Sequence, residues 1–220
     1  MDISIVTIAF KGYGKFLRQW CYYMSQLNTP AKEYIAVLGS GHGCKDIEVC
    51  KALLPNLKVI YDDNQIPLLG PLRNKAIQAT KSEWIMFLSV DDMILPHAID
   101  EFKKVQKGAD YICISWLSTE IGNFNKTGYH KAITPIDMAR AGGRGFIIGH
   151  SPFKRWIWEA KPYQHHDYVN YPFLAGAIAL DAEFVKVMKP CTVYLRRPDS
   201  HARRVLPRRS EKKQAVYQKR

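Results

Sequence analysis

The chain is missing the marks of several large classes. None of its five cysteines (Cys21, Cys44, Cys50, Cys113, Cys191) forms a CxxC pair and their number is odd, so neither a zinc knuckle nor a disulfide framework is indicated. Isolated thiols in a reducing cytoplasm are the expectation. No apolar run approaches the roughly 18 residues needed to span a bilayer. The start, MDISIVTIAF, has no basic n-region and enters a strand at once, which argues against a signal peptide. A nucleotidyltransferase would want a glycine-rich triphosphate loop near this end, and KGYGK at 11–15 matches one poorly. There are no internal repeats.

What is present is an ordinary globular composition, 47% hydrophobic, 24% charged and 12% aromatic over 220 residues. That is enough chain for one domain with a substantial core. We expect a domain over 1–201, divided into halves at 1–117 and 118–201, and a separate tail at 202–220. Net charge is +12, and the tail holds eight Lys/Arg against one acid, Glu211. Such a tail attracts polyanions, or is a solvated end.

Through the first half, apolar β-rich runs alternate with helical spacing. Ile3–Phe10, Tyr34–Leu38, Leu57–Tyr61, Trp84–Val90 and Tyr111–Trp116 read as strands. Lys15–Asn28, Lys45–Leu54, Gly70–Thr80 and Pro96–Lys107 read as helices. Short connections and this alternation predict βαβ units, hence an α/β fold with a mostly parallel sheet. Ligands of such sheets bind beyond the carboxyl ends of the strands, where Phe10, Gly39, Asp62-Asp63 and Asp91-Asp92 fall. Beyond Glu120 the rhythm changes. Residues 121–150, with GNFNKTG and AGGRGF, read as loops, Gln164–Leu180 as a helix after HHD, and Thr192–Leu195 as a last strand.

The most informative stretch is GPLRNKAIQATKSEWIMFLSVDDMILP, 70–96. A helix carrying Arg73 and Asn74 leads into an apolar strand that stops at two adjacent acids. Two carboxylates at the exit of a buried strand are costly unless a positive group joins them. A divalent cation with a diphosphate is an economical partner, because hard cations prefer carboxylate and phosphate oxygens. One Asp would suffice as a cap before Pro96. Adjacent His165 and His166 diverge by about 100° on a helix, which argues against a shared metal there.

In this order the pieces resemble a GT-A glycosyltransferase of the family-2-like branch. The opening strand SIVTIAF and the segment GPLRNKAIQATKSEWIMFLSVDD carry the resemblance, over roughly residues 2–117 and more loosely 150–201. It implies a nucleotide-sugar donor, a UDP-sugar, and a Mn²⁺ or Mg²⁺ ion. Asp91 and Asp92 match the metal-binding acids, with Asp91 also meeting the donor. Arg73, beside Asn74, matches a donor-contacting arginine suited to bidentate phosphate contact. Asp167, at a helix head, matches the general base, which would make the reaction inverting; a plain helix cap is its other reading. His201 matches a late metal ligand, and the neighbouring Arg196, Arg197 and Arg203 suit a diphosphate. The resemblance departs at Ser89, where an acid is usual, and at Leu38-Gly39-Ser40, where acids commonly read the donor. Asp62 or Asp63 could serve partly in their place.

For the acceptor, Lys154, Arg155, Trp156 and Trp158 alternate charge with aromatic surface suited to sugars or unstacked bases. With the basic tail they favour a polyanion. Small size and positive charge resemble phage-type enzymes that glycosylate a hydroxymethylated DNA base, placed above an envelope saccharide or lipid-linked glycan. An inactive GT-A-like module binding nucleic acid is the reading from another class, and Ser89 is its support.

Overall fold

A computed structural model describes residues 1–64, 68–121, 123–142, 147–164 and 170–197, with only the backbone at 123, 124 and 171. Four strands, β1 (Ile3–Ala9), β2 (Glu33–Gly39), β3 (Leu57–Asp62) and β4 (Trp84–Phe87), run parallel in the order β3-β2-β1-β4. All seven residues of β1 are buried, which its unbroken apolar run requires of a strand covered on both faces. Alternate side chains divide accordingly. Ile3 and Ile5 join one core with Trp20, Tyr34 and Phe102, while Val6 and Ile8 join the other with Ile77, Phe87 and Phe173.

The helices follow the apolar spacing. A 3₁₀ turn at Tyr13–Phe16 leads into α1 (Leu17–Ser25), which buries Leu17, Trp20, Cys21 and Met24 along one face. Next come α2 (Ile47–Leu53), α3 (Leu69–Gln78) and α4 (Ala98–Val105). In α4, Asp100 and Glu101 sit in the first turn and Lys103 and Lys104 in the last, matching the helix dipole.

The second half extends the same sheet with mixed directions. After β5 (Met93–Ile94) come β6 (Tyr111–Glu120), β7 (Asn123–His130), β8 (Phe153–Lys154) and β9 (Phe184–Arg196). The order continues from β4 through β8, β6 and β9 to β5, with β7 on β6. β6 and β9 are parallel over their length; β8 is antiparallel to both β4 and β6. Three short helices, α5 (Pro135–Arg140), α6 (Arg155–Ala160) and α7 (Asn170–Ala179), complete the chain.

Three expectations change here. Residues 121–150 are not all loop: β7 forms a hairpin with β6, and α5 opens on a capping box between Thr134 and Asp137 with Pro135 in its first turn. The last strand begins at Phe184, not Thr192. Pro190 lies inside it where the β6–β9 register shifts, between Val187 opposite Ile114 and Thr192 opposite Trp116. Proline is accommodated at such irregularities because no ladder bond is asked of it. The strand expected to reach Val90 stops at Phe87. Among the described residues no helix is long and apolar enough to cross a membrane.

Candidate active site

A cleft of about 280 Å³ opens at the carboxyl ends of β1 and β4, lined among others by Phe10, Lys11, Arg73, Ser89, Asp91 and Tyr194. Beyond β4 the chain stays tied to β1 through Leu88 N–H on Val6 O (3.0 Å), then turns, with Asp92 N–H on Ser89 O (3.1 Å). The turn places both acids at the cleft wall, but they differ in how they are held: Asp91 is half-buried, and Asp92 is 2% exposed.

Asp92 is committed to the protein. Its Oδ1 accepts from Leu195 N–H at 2.9 Å and its Oδ2 lies 3.0 Å from His150 Nε2. The same imidazole nitrogen is 3.3 Å from Ser89 Oγ. A buried carboxylate so held joins β4's exit to β9 and to the loop before β8. His150 carried no sequence pattern, and only the fold brings it to Asp92.

Asp91 is less satisfied. Its Oδ2 is 3.5 Å from Arg197 Nε, and Arg197 Nη2 donates to its backbone carbonyl at 3.3 Å. Burial foremost, and then the neighbouring Asp92, push its carboxyl up to about 6, with Arg197 pulling the other way. Arg197 also lies 3.8 Å over the Phe16 ring.

Arg73 is the buried cation among the cleft's lining residues, Lys11 being exposed at the rim. It is 6% exposed, packs 3.9 Å over the Phe87 ring and donates from Nη1 to Asn170 Oδ1 at 2.5 Å. Its Nε has no hydrogen-bond partner, and among the described residues no carboxylate lies within ion-pair distance. Burial pulls its pKa down. A buried guanidinium without a carboxylate is costly in isolation and is aimed where an anion would satisfy it.

Around the cleft, the loops after β1 and β2 are zipped together. Gly12 N–H donates to Gly41 O (2.6 Å) and Gly14 N–H to His42 O (2.7 Å). A Cβ on Gly14 would lie 2.6 Å from His42 O, so the close approach requires glycine. Lys11 takes a left-handed φ of 48° at the rim, a conformation unusual outside glycine and concentrated at functional sites. Phe10 lines the cleft. Gly39 serves packing instead, its absent Cβ leaving room for Phe10 and Leu72.

Several expected site residues have structural duties elsewhere. Asn74 accepts from Trp158 Nε1 (2.8 Å) and Tyr163 N–H (3.0 Å) and donates to Tyr163 O (2.9 Å), bracing α3 against 158–163. Asp62 is paired with Lys75 at 2.6 Å, and Asp63 is exposed; neither borders the cleft. Arg196 turns to the Lys126 carbonyl (3.1 Å). The acceptor set is displaced most. Lys154 pairs with Trp84 at the amino end of β4, remote from Asp91, and forms an ion pair with Asp110 at 3.1 Å. Arg155 donates to Ser82 O (3.0 Å), Ile77 O and Thr80; Trp156 donates to Asp110 at 3.3 Å. Those residues stitch the far side of the sheet. Asp167, His201, Arg203 and the tail lie outside the described residues.

For a divalent cation, the donor set is asymmetric. Among the described residues no three His, Cys, Asp or Glu side chains converge on one point. Asp92 fits poorly, because both its oxygens are engaged. Asp91 fits: it borders the cleft, and burial first and Asp92 second raise its pKa, so its charged form is one that a bound cation would stabilise.

No family model and no curated protein matches the sequence. Solved structures do match. S. aureus TarS 1-349 in complex with UDP-GlcNAc superimposes with a TM-score of 0.72 at 14% identity, over 94% of this chain and 62% of that one. Its UDP complex gives 0.66 at 13% identity, over 90% and 61%; S. aureus TarS gives 0.68 at 13%, over 90% and 37%. The chain therefore spans about three fifths or less of these neighbours' length. The architecture they share with it is the expected GT-A one, a mostly parallel sheet flanked by helices.

Proposed function

We propose that the protein is a glycosyltransferase that moves a sugar from a UDP-sugar to an acceptor hydroxyl. The observation carrying this reading is the pairing, in one cleft, of a buried Arg73 without a carboxylate and an Asp91 with too little positive charge. A diphosphate with its cation supplies both deficits at once. Two of the structural neighbours hold UDP-GlcNAc or UDP, which supports that donor class.

In this reading Arg73 grips the diphosphate through its guanidinium, backed by the Phe87 ring and Asn170. Phe10 and Lys11 bound the nucleotide side of the cleft. Mn²⁺ or Mg²⁺ held at Asp91 would neutralise charge on the departing nucleoside diphosphate. Asp92 positions Asp91 by fixing the turn. Asp167 remains the proposed base, with an inverted product, and His201 and Arg203 remain proposed partners of the metal and the diphosphate. The acceptor is a hydroxyl on a polyanion, a description that a hydroxymethylated DNA base and an acidic envelope saccharide both meet.

The test is donor hydrolysis. Incubation with UDP-GlcNAc and other UDP-sugars plus Mn²⁺ should release UDP, and Arg73→Ala should abolish the release. Intact donor across the panel would identify an inactive module instead.

A further inference from the structure

From Ile3 to Lys32 the chain contains no Asp or Glu, and this stretch supplies the surface beside the cleft. Three of its cations, Lys11, Lys15 and Arg18, are exposed, and among the described residues none has a carboxylate within ion-pair distance. They do not scatter. Arg197, which touches Asp91 inside the cleft, lies over the Phe16 ring at 3.8 Å, and Lys15 Nζ stands 5.0 Å from the same ring. Two like charges are thereby held on one aromatic group. One helical turn beyond Lys15 is Arg18, and one turn beyond that is Tyr22, 51% exposed. Lys15, Arg18, Gln19, Tyr22 and Leu53 line a second concavity of about 430 Å³. The acids of the packed helix α2 do not neutralise it: Glu48 takes Lys51 at 3.0 Å, and Asp46 lines neither concavity.

We propose that this groove is the seat of an anionic glycan, whose chain runs along α1 from the donor cleft and bears carboxylate or phosphate groups. The proposal rests on the glycosyltransferase reading for its place in the reaction, but its own observation is charge complementarity outside the cleft. Two cations, Lys15 and Arg18, line the concavity, fewer than the roughly four to eight clustered Lys/Arg that engage an anionic membrane surface. The chemistry lining it separates a glycan from nucleic acid as well. Single-stranded nucleic acid is held by a series of aromatic rings on which successive bases stack. Here only Tyr22 offers an exposed ring, beside an amide, Gln19, and an apolar floor, Leu53, that suit hydroxyls and the carbon face of a sugar. It gives the protein an anion site independent of the basic tail.

The experiment uses the full chain, in which the tail is a constant background. Oligogalacturonate, a carboxylate-bearing glycan, is titrated by fluorescence anisotropy at several salt concentrations against wild type, Lys15→Gln/Arg18→Gln and Lys15→Glu/Arg18→Glu. We expect affinity to fall about tenfold in the neutral pair and further in the reversed pair, with the log–log salt slope reduced by roughly one to two. Melting temperature and UDP-GlcNAc hydrolysis should stay at wild-type values, since neither side chain enters the donor cleft. Unchanged affinity and slope in both variants would overturn the groove. A single-stranded 20-mer DNA bound more tightly than the glycan, with the same sensitivity, would overturn the glycan assignment in favour of nucleic acid. Loss confined to phosphatidylglycerol vesicles would point to a membrane and equally overturn it. A wild type that binds the glycan at the groove yet hydrolyses no UDP-sugar would sink the glycosyltransferase reading alone.

Discussion

The two halves of the sheet solve different problems. The first half builds β3-β2-β1-β4 from consecutive βαβ units, and its chemistry is local: Phe10 and Lys11 follow directly on β1, Arg73 lies within α3, and Asp91 lies in the turn after β4. The second half threads β8, β6, β9 and β5 out of sequence order, and its contributions to the site arrive from afar. His150, Leu195 and Arg197 reach the acidic turn from elements more than fifty residues downstream. Both acids line the cleft, but Asp91 has one loose ion pair whereas Asp92 is tied on both oxygens into the seam. Adjacent identical residues have been given different work by the partners the second half brings to them.

Breaking the cleft side should have the largest effect. Arg73→Ala or Asp91→Asn is expected to lower kcat/KM for UDP-sugar hydrolysis by about 10²–10³, the scale for losing one preorganised electrostatic contact. Arg73→Lys should not restore it, because an ammonium cannot reproduce the planar, bidentate fork. Steady-state kinetics decides this, and near-normal rates in all three would contradict the cleft assignment.

Breaking the seam should act on the fold first. Asp92→Ala strands the Leu195 N–H and the buried His150, a loss of about 3–5 kcal/mol if the imidazole is charged and nearer 1–3 if it is neutral. For a chain of this size each kcal/mol lowers Tm by roughly 2–4 °C. His150→Leu should cost less, and the double variant should cost less than the sum, because the two share one interaction. Strict additivity in thermal denaturation would show that the seam is not a coupled unit.

The same contrast explains what was legible in the sequence. The parallel half could be read because strands buried on both faces are continuous apolar runs, and because each helix shows its buried stripe at helical spacing. Arg73 and Asp91 were visible because they lie on one local helix–strand–turn segment. The hairpin strand β7 was missed because NFNKTGYH carries almost no apolar alternation; it is an edge strand, held by the ladder to β6. The start of β9 was missed because Pro190 reads as a breaker. Lys154, Arg155 and Trp158 looked like a recognition surface because charge and rings alternate, whereas only the fold reveals their partners on the far side. His150 had no local signal at all.

A sharper distinction comes from pH. Asp91 titrates near 6 in the folded protein, above its ordinary value of 3.8, so between these values the folded state binds the extra proton. Its contribution to stability is therefore present at low pH and is lost as pH rises through about 4 to 6. Above that window Asp91→Asn should be more stable than wild type without added metal, by on the order of 2 kcal/mol. The same substitution should lower turnover by about 10²–10³. Denaturant midpoints for both proteins at pH 4 and pH 7 measure the gap, and equal gaps at both pH values would contradict the strained carboxylate. Mn²⁺ should raise the wild-type midpoint at pH 7 and leave that of Asp91→Asn unmoved.

The smallest effects belong to the amino end of β4. Arg155→Ala removes donors from the Ser82 and Ile77 carbonyls and should cost about 1–2 kcal/mol of stability, since the Ile77 carbonyl keeps the Thr80 N–H and hydroxyl and only the Ser82 carbonyl loses its side-chain donor. Trp156 is 37% exposed and is anchored by one hydrogen bond to Asp110, so Trp156→Ala should move stability by about 1 kcal/mol or less. Neither substitution should alter donor hydrolysis or the acceptor KM, because these side chains sit at the amino end of β4 and the cleft opens at its carboxyl end. A several-fold rise in acceptor KM for Trp156→Ala, with stability unchanged, would mean that the acceptor wraps around the sheet edge to reach it. The two halves would then share one substrate surface, and the division between a donor cleft and a structural far side would no longer hold.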